Sequence, residues 1–352
     1  MEFIEEELKQ LKDSGLYRSL KTIEKGKKYI NFCSNDYLGL SRHPKVKEKA
    51  IEIIREFGFG AGSSRLISGN SIIHEELEKR IAKLKKREAA IVFPTGYMAN
   101  LGAITALVGE GDAVIIDRLD HASIIDACRL SKAKLQVYPH KDLAALEKIL
   151  KRSDKFKKCL IVTDTVFSMD GDIAPLAEIS RLAKRFNAMF MTDDAHATGV
   201  IDLANPADIV MGTLSKAIGS LGGFIAGSAK LIDYLRNKAR SFIYTTALPP
   251  AACAASIAAI EIIEKEPERI ERLRMNSRLL GSETPIIPII IGDAGKTMEI
   301  SGKLFESGIF VPGIRPPTVP EGEARLRITV TSEHTKEDIE CLASLLRELI
   351  PA

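Results

Sequence analysis

The chain has no Cys-x-x-Cys pair, no surplus of charge of one sign and no unbroken apolar run long enough to span a bilayer. Its five cysteines, Cys33, Cys128, Cys159, Cys253 and Cys341, are far apart and odd in number. They support neither a zinc site nor a disulfide framework, and they suit a reducing cytoplasm. Against 50 Lys and Arg stand 47 Asp and Glu, a net charge of +3, a balance that points to neither nucleic acid nor a membrane surface as partner. The basic runs Lys83 to Arg87 and Lys151 to Lys158 adjoin helical patterns and read as solvated faces. The N-terminus is acidic where a signal peptide is basic and then apolar. The most apolar stretch, Thr246 to Ile263, is interrupted by Pro249-Pro250 and reads as a buried helix. There is no internal repeat.

What is present is an ordinary globular composition, 45% hydrophobic and 28% charged over 352 residues, enough for about two domains. Residues 2 to 25 are expected to form an amphipathic helix and its exit, Tyr29 to Cys33 a short strand, and Pro44 the start of a helix. From His74 the pattern becomes regular. Helices at His74 to Lys86, Tyr97 to Leu107, from 121, from Leu143 and at Pro175 to Phe186 alternate with apolar strands. Those strands are Ala89 to Phe93, Ala113 to Asp117, Leu135 to Tyr138, Leu160 to Thr163, Ala188 to Thr192 and Asp208 to Met211. Such alternation predicts an α/β fold with a mostly parallel sheet covered on both faces. A single helix from Pro249 to Arg278 then leads to a small α+β domain, with strands Ile286 to Ile291 and Arg325 to Val330 and helices Lys296 to Ser307 and Thr335 to Glu348. The expected domains are 1–45, an N-terminal helix and arm, 46–250, a large domain, and 251–352, the connecting helix and small domain.

Two nucleotide motifs fail. Gly58-Phe-Gly-Ala-Gly-Ser63 lacks the third glycine of a dinucleotide fingerprint and follows a helix, and Gly295-Lys-Thr297 ends like a P-loop without its first glycine. Chemistry is better sought beyond the carboxyl ends of the strands, where parallel sheets bind ligands. Thr95-Gly96-Tyr97 opens a helix, where free N–H groups favour a phosphate, or where Thr95 is only an N-cap. Asp193 and His196 could hold a metal, but no second histidine or cysteine stands at ligand spacing; a carboxylate there could instead keep a pyridinium ring protonated. Lys216, between small and hydroxyl residues after a buried strand, is either a solvated loop lysine or one desolvated to react with a cofactor aldehyde. His121 could stack on a ring or be structural.

Several segments together resemble a known family. They are Asn35-Asp-Tyr-Leu-Gly39, Gly62-Ser-Ser-Arg65 with Gly69 and His74, Asp120-His-Ala-Ser123, Phe167-Ser-Met-Asp-Gly171, Asp193-Asp-Ala-His196, Thr213-Leu-Ser-Lys-Ala217 and Arg325-Leu-Arg-Ile328. By these the chain is similar to the α-oxoamine synthases. These are pyridoxal 5'-phosphate (PLP) enzymes of fold type I, aspartate-aminotransferase-like, which join an amino acid to an acyl-CoA with loss of carbon dioxide. The resemblance implies that Lys216 carries PLP covalently, Asp193 pairs with its pyridine nitrogen, His196 reaches its hydroxyl and His121 stacks on it with Ser168 nearby. It also implies that Thr95, Gly96, Tyr97 and Thr213 surround the phosphate, and that Thr245 or Thr246 comes from the other subunit of a homodimer with shared sites. Arg327 matches the arginine that grips the amino-acid carboxylate, Asn35 lies among the substrate contacts, and Arg18 stands where an acyl-chain carboxylate is held. Within the family, Ile314-Arg-Pro-Pro-Thr-Val-Pro320 resembles the branch that uses L-alanine and a pimeloyl thioester; the alternative is glycine with acetyl-CoA. An oxidoreductase and a non-catalytic scaffold are the readings from other classes. Two departures stand out: Ala197 replaces a usual glycine, and the chain is short after Ile201 and near Leu280-Gly281.

Overall fold

The computed structural model describes residues 2–20, 22, 29–201 and 204–350. The chain forms two compact units: one from Asp36–Ser168 and Asp172–Glu271, the other from Met1–Asn35, Met169–Gly171 and Arg272–Ala352. Its first elements are α1 (Glu2–Asp13), β1 (Ile30–Asn31), α2 (Pro44–Phe57), α3 (Ile72–Leu84), β2 (Ala89–Phe93), α4 (Gly96–Leu107), β3 (Ala113–Asp117), α5 (Ala122–Ser131) and β4 (Lys134–Tyr138). There follow α6 (Leu143–Leu150), β5 (Cys159–Asp164), α7 (Leu176–Arg185), β6 (Met189–Asp193), β7 (Ile209–Thr213), β8 (Gly223–Gly227), α8 (Ala229–Lys238), α9 (Arg240–Ile243) and α10 (Pro250–Lys265). The last are α11 (Glu268–Leu279), β9 (Ile286–Gly292), α12 (Ala294–Glu306), β10 (Ile309–Phe310), β11 (Gly313–Ile314), β12 (Ala324–Thr329) and α13 (Lys336–Leu349).

The larger unit is built on a seven-stranded sheet in the order β2-β8-β7-β6-β5-β3-β4. The run from β7 to β4 is parallel, while β8 lies antiparallel to both β2 and β7. Alternate residues along each strand enter two separate cores. Val114, Ile116, Leu160, Val162 and Met191 pack with Ala99, Ile104 and Ile124, whereas Ile115, Ile161 and Phe190 pack with Leu146 and Ile179. Both faces are therefore dry, and each large apolar side chain so buried contributes about 1.5–3 kcal/mol. Because β3, β5, β6 and β7 are parallel, their carboxyl ends share one edge, and Asp164 of β5 is in register with Asp193 of β6.

The smaller unit holds the antiparallel sheet β11-β12-β9 and the parallel pair β1-β10. Among the described residues no helix is long and apolar enough to cross a membrane.

The structure sharpens some expectations and corrects others. The N-terminal helix stops at Asp13 because Gly15, at φ 69°, turns the chain left-handed; positions 21 and 23–25 of the expected exit lie outside the described residues. The helix expected from Pro249 to Arg278 is two helices. Pro267 has no N–H and draws Glu266 out of the helical region, to φ −122°, ψ 61°. Strand β8 and helices α8 and α9 were not foreseen. Gly223 opens β8, and a Cβ there would stand 2.5 Å from the Thr95 carbonyl oxygen. The short stretch near Leu280 is a closed turn, with Gly281 at φ 73° and Ser282 N–H bonded to the Ser277 carbonyl; positions 202 and 203, after Ile201, lie outside the described residues.

Candidate active site

The shared edge of the sheet opens into a cavity of about 180 Å³, lined among others by Gly96, Tyr97, His121, Ser168, Asp193, His196, Thr213 and Lys216. A larger cavity of about 470 Å³, bordered by Arg65, Glu75 and Glu78, carries no histidine or strand-end carboxylate. Lys216 follows β7 in a tight loop in which Gly219 N–H bonds the Lys216 carbonyl at 2.8 Å and Leu214 N–H bonds that of Gly222 at 2.9 Å. Its Nζ lies 2.8 Å from His196 Nε2, and His196 Nδ1 lies 2.6 Å from the buried Tyr37 hydroxyl.

Asp193 is buried at the end of β6. Its Oδ2 accepts from Asn100 Nδ2 at 2.8 Å and its Oδ1 from the Ala195 N–H at 2.9 Å, bonds that fix the carboxyl group in place. Asp164, at the neighbouring strand end, is different. Burial first, then the Asp193 charge, push its carboxyl well above the usual range, so it tends to the neutral form. Its Oδ2 accepts the His121 backbone N–H at 3.1 Å. His121 keeps an exposed face, while its Nδ1 is 2.8 Å from Ser123 Oγ. Burial of the rest of the ring lowers its pKa below the ordinary 6.5, Asp193 opposing and Lys216 reinforcing, which leaves a neutral ring suited to stacking.

Helix α4 opens on Gly96, whose missing Cβ would meet Met211 Cε at 2.9 Å. A side chain there would have to displace the flexible end of Met211, and the first N–H groups of a helix are a ready anion site. Thr95 caps this helix, its Oγ1 accepting the Met98 N–H at 3.1 Å, and is not among the residues that line the cavity. Thr213 and Ser215 share a 2.7 Å hydrogen bond beside it. The Tyr97 phenol donates to Asp126, which pushes its pKa up.

These residues fit PLP: backbone N–H groups for a phosphate, an amine for an aldehyde, a carboxyl group for a ring nitrogen and a flat neutral ring to stack. Asn100 Oδ1, buried without a hydrogen-bond partner, shows that the Asn100–Asp193 corner keeps polar capacity in reserve. Among the described residues no group of three His, Cys, Asp or Glu could hold a metal ion.

Other expected site residues lie elsewhere. Thr245 is half-buried and Thr246 exposed, and neither lines the cavity of its own chain. In the smaller unit the buried Arg327 donates to Thr329 Oγ1 at 2.8 Å and to Asn35 Oδ1 at 3.3 Å. Arg18 is exposed and donates to Thr318 Oγ1 at 3.2 Å. The sequence reading missed Asn100, Asp164, Ser123 and Ser215, which line the cavity, and gave Tyr37 no role. Asn100 did leave a signal, four residues past Gly96 on the same helix face.

Comparison with known proteins agrees with this chemistry. The family model for aminotransferases of class I and II matches residues 27–346. An 8-amino-7-oxononanoate synthase of Thermoanaerobacter pseudethanolicus is 47% identical, with 97% of this chain and 94% of that one covered. Another, of Citrifermentans bemidjiense, is 48% identical, with 99% and 98% covered. Among solved structures, a serine palmitoyltransferase from S. paucimobilis with PLP and myriocin bound matches with a TM-score of 0.92 at 30% identity, covering 98% of this chain and 96% of that one.

Proposed function

The chain belongs to the aminotransferase class I and II family, and from that premise we propose that it joins L-alanine to a pimeloyl thioester, giving 8-amino-7-oxononanoate, the freed thiol and carbon dioxide. It is a PLP-dependent transferase of biotin biosynthesis, like the relatives named for that product. The observation that carries the reading is the meeting of Lys216, His196 and Asp193 in one cavity of a chain so similar to those enzymes. A reducing cytoplasm suits its five free cysteines.

Bound PLP supplies an electron sink for the charge left when a bond to the amino-acid Cα breaks. Lys216 Nζ, oriented by His196, takes the Cα proton before the new carbon–carbon bond forms and returns one after carbon dioxide leaves. Asp193, held in place by the N–H groups of Asn100 and Ala195, would pair with the nitrogen of the cofactor ring. His121 covers the ring as a neutral imidazole, and the start of α4 with Thr213 holds the phosphate. Arg327, braced by Asn35 and Thr329, takes the amino-acid carboxylate. Thr245 or Thr246 serves the site of a second copy in a homodimer, and Arg18 takes the far carboxylate of the acyl chain.

Steady-state rates with L-alanine plus pimeloyl-CoA against glycine plus acetyl-CoA test the reading. The first pair is expected to show the higher kcat/KM, by about tenfold or more, since a pocket shaped for one side chain discriminates by about that much per methylene. The reverse order would reassign the substrates.

A further inference from the structure

His140 stands just beyond β4, and both of its ring nitrogens face carboxylates. Nδ1 is 3.0 Å from Asp117 Oδ1, at the end of β3, and Nε2 is 2.9 Å from Asp172 Oδ2. Each ring nitrogen is thus within hydrogen-bond distance of a different carboxylate. The ring also meets Phe167 edge-on, centroids 4.4 Å apart, an arrangement that aromatic pairs favour.

Each carboxylate is anchored in turn. Asp117 accepts the backbone N–H groups of Leu119 and Lys141 at 2.9 and 2.8 Å. Asp172 accepts from Lys141 Nζ at 2.8 Å, and its carbonyl takes the Phe167 N–H at 3.0 Å. Val166 and Ile173 close the same segment as an antiparallel bridge. One imidazole thus ties the ends of β3 and β4 to the base of the excursion that follows β5. The residue after Phe167 is Ser168, on the cavity wall.

An apolar side chain would cover Phe167 equally well. Two hydrogen bonds to carboxylates add something else, a fixed position of Asp172 and Phe167 relative to β3. We propose that His140 is a positioning residue of this enzyme: by bridging Asp117 and Asp172 beneath Phe167 it sets where Ser168 stands against bound PLP. The proposal rests on the reading of Ser168 as a cofactor contact.

The test is a double-mutant cycle on PLP affinity, read as the apparent dissociation constant when PLP is titrated into the cofactor-free full chain. Ser168→Ala and His140→Gln are each expected to weaken binding by about tenfold, the loss of one good hydrogen bond. The double variant is expected to bind no more weakly than Ser168→Ala alone, because both changes remove the same contact. Additive losses, or an unchanged constant for His140→Gln, overturn the proposal and leave the role of Ser168 standing. An unchanged constant for Ser168→Ala overturns both. Should His140→Gln fail to fold, Asp172→Asn breaks the same bridge with the imidazole in place and must show the same non-additivity with Ser168→Ala; additivity there overturns the proposal equally.

Discussion

Lys216 Nζ and His196 Nε2 are 2.8 Å apart, a direct hydrogen bond between the one lysine of the cavity and the imidazole that ends the Asp193 segment. The pair joins two strand ends, those of β7 and β6, and fixes the amine above the sheet edge. Lys216→Ala is expected to leave a folded chain that lacks the yellow absorbance of covalently held cofactor and has no borohydride-trappable PLP. Its turnover should fall by at least about 100-fold, the lower end of what a positioned general base contributes. Absorption spectra before and after borohydride, with turnover assays, check both. Retained turnover with trappable cofactor would remove Lys216 from the chemistry.

Arg327 is buried and spends its guanidinium on Thr329 and Asn35, a geometry that a lysine ammonium cannot reproduce. Arg327→Lys is expected to raise the KM for L-alanine about tenfold with a smaller change in kcat, a loss of one bond to a charged group. Initial rates with L-alanine varied at saturating acyl donor measure this. A rise confined to the acyl donor's KM would move Arg327 to the other substrate.

Gly219 holds φ 69°, and a Cβ there would stand 2.3 Å from the Ser41 backbone nitrogen. Gly219→Ala should cost about 1–3 kcal/mol, from the strained backbone alone. Denaturant midpoints measure the loss. Because the Gly219 N–H closes the Lys216 turn, the same variant should bind PLP more weakly. Unchanged stability would mean that the turn has another way to accommodate the methyl group.

His74 is fully buried, with Nε2 2.7 Å from the Leu248 carbonyl oxygen and Nδ1 2.8 Å from Ser71 Oγ. Burial lowers its pKa below 6.5 despite the carbonyl, and the Arg65 charge adds to the fall. The folded state then binds its proton less readily than the unfolded chain. The stability this provides is complete above pH 6.5 and is lost as pH falls through the lower, folded value. His74→Gln should remove that part of the dependence, so the stability difference between the two proteins should shrink as pH is lowered from 7 to 5. Asp120 and Asp164, shifted upward by burial, act alike in both proteins and cancel. A difference that stays constant across this range would show that His74 does not titrate on unfolding.

The strands that carry the site were legible because they are buried on both faces. Ala113–Asp117 and Cys159–Asp164 are apolar almost without interruption, and the rule that ligands sit beyond the carboxyl ends pointed to Asp193, His196 and Lys216. Strand β8 was hidden by its own composition. Gly223 is small because the backbone of Thr95 and Gly96 presses against it, a requirement set by a distant segment. Asn100 and Asp164 were missed for a related reason. That Asn100 meets Asp193, and that Asp164 sits level with it, depends on how separate elements align, which no local pattern records.

Strand β8 also has a bearing on how this gene can vary. It pairs with β7 from Val210↔Ala226 to Thr213↔Gly223, so the nine residues that carry Lys216, 214–222, join the two partners of the last rung of that ladder. Surface loops elsewhere can gain or lose residues at little cost. Here one added or deleted residue must either slip β8 against both of its partners, turning each side chain to the opposite face, or swing the amine out of the cavity. The length of this segment is accordingly as tightly constrained as the identity of its lysine.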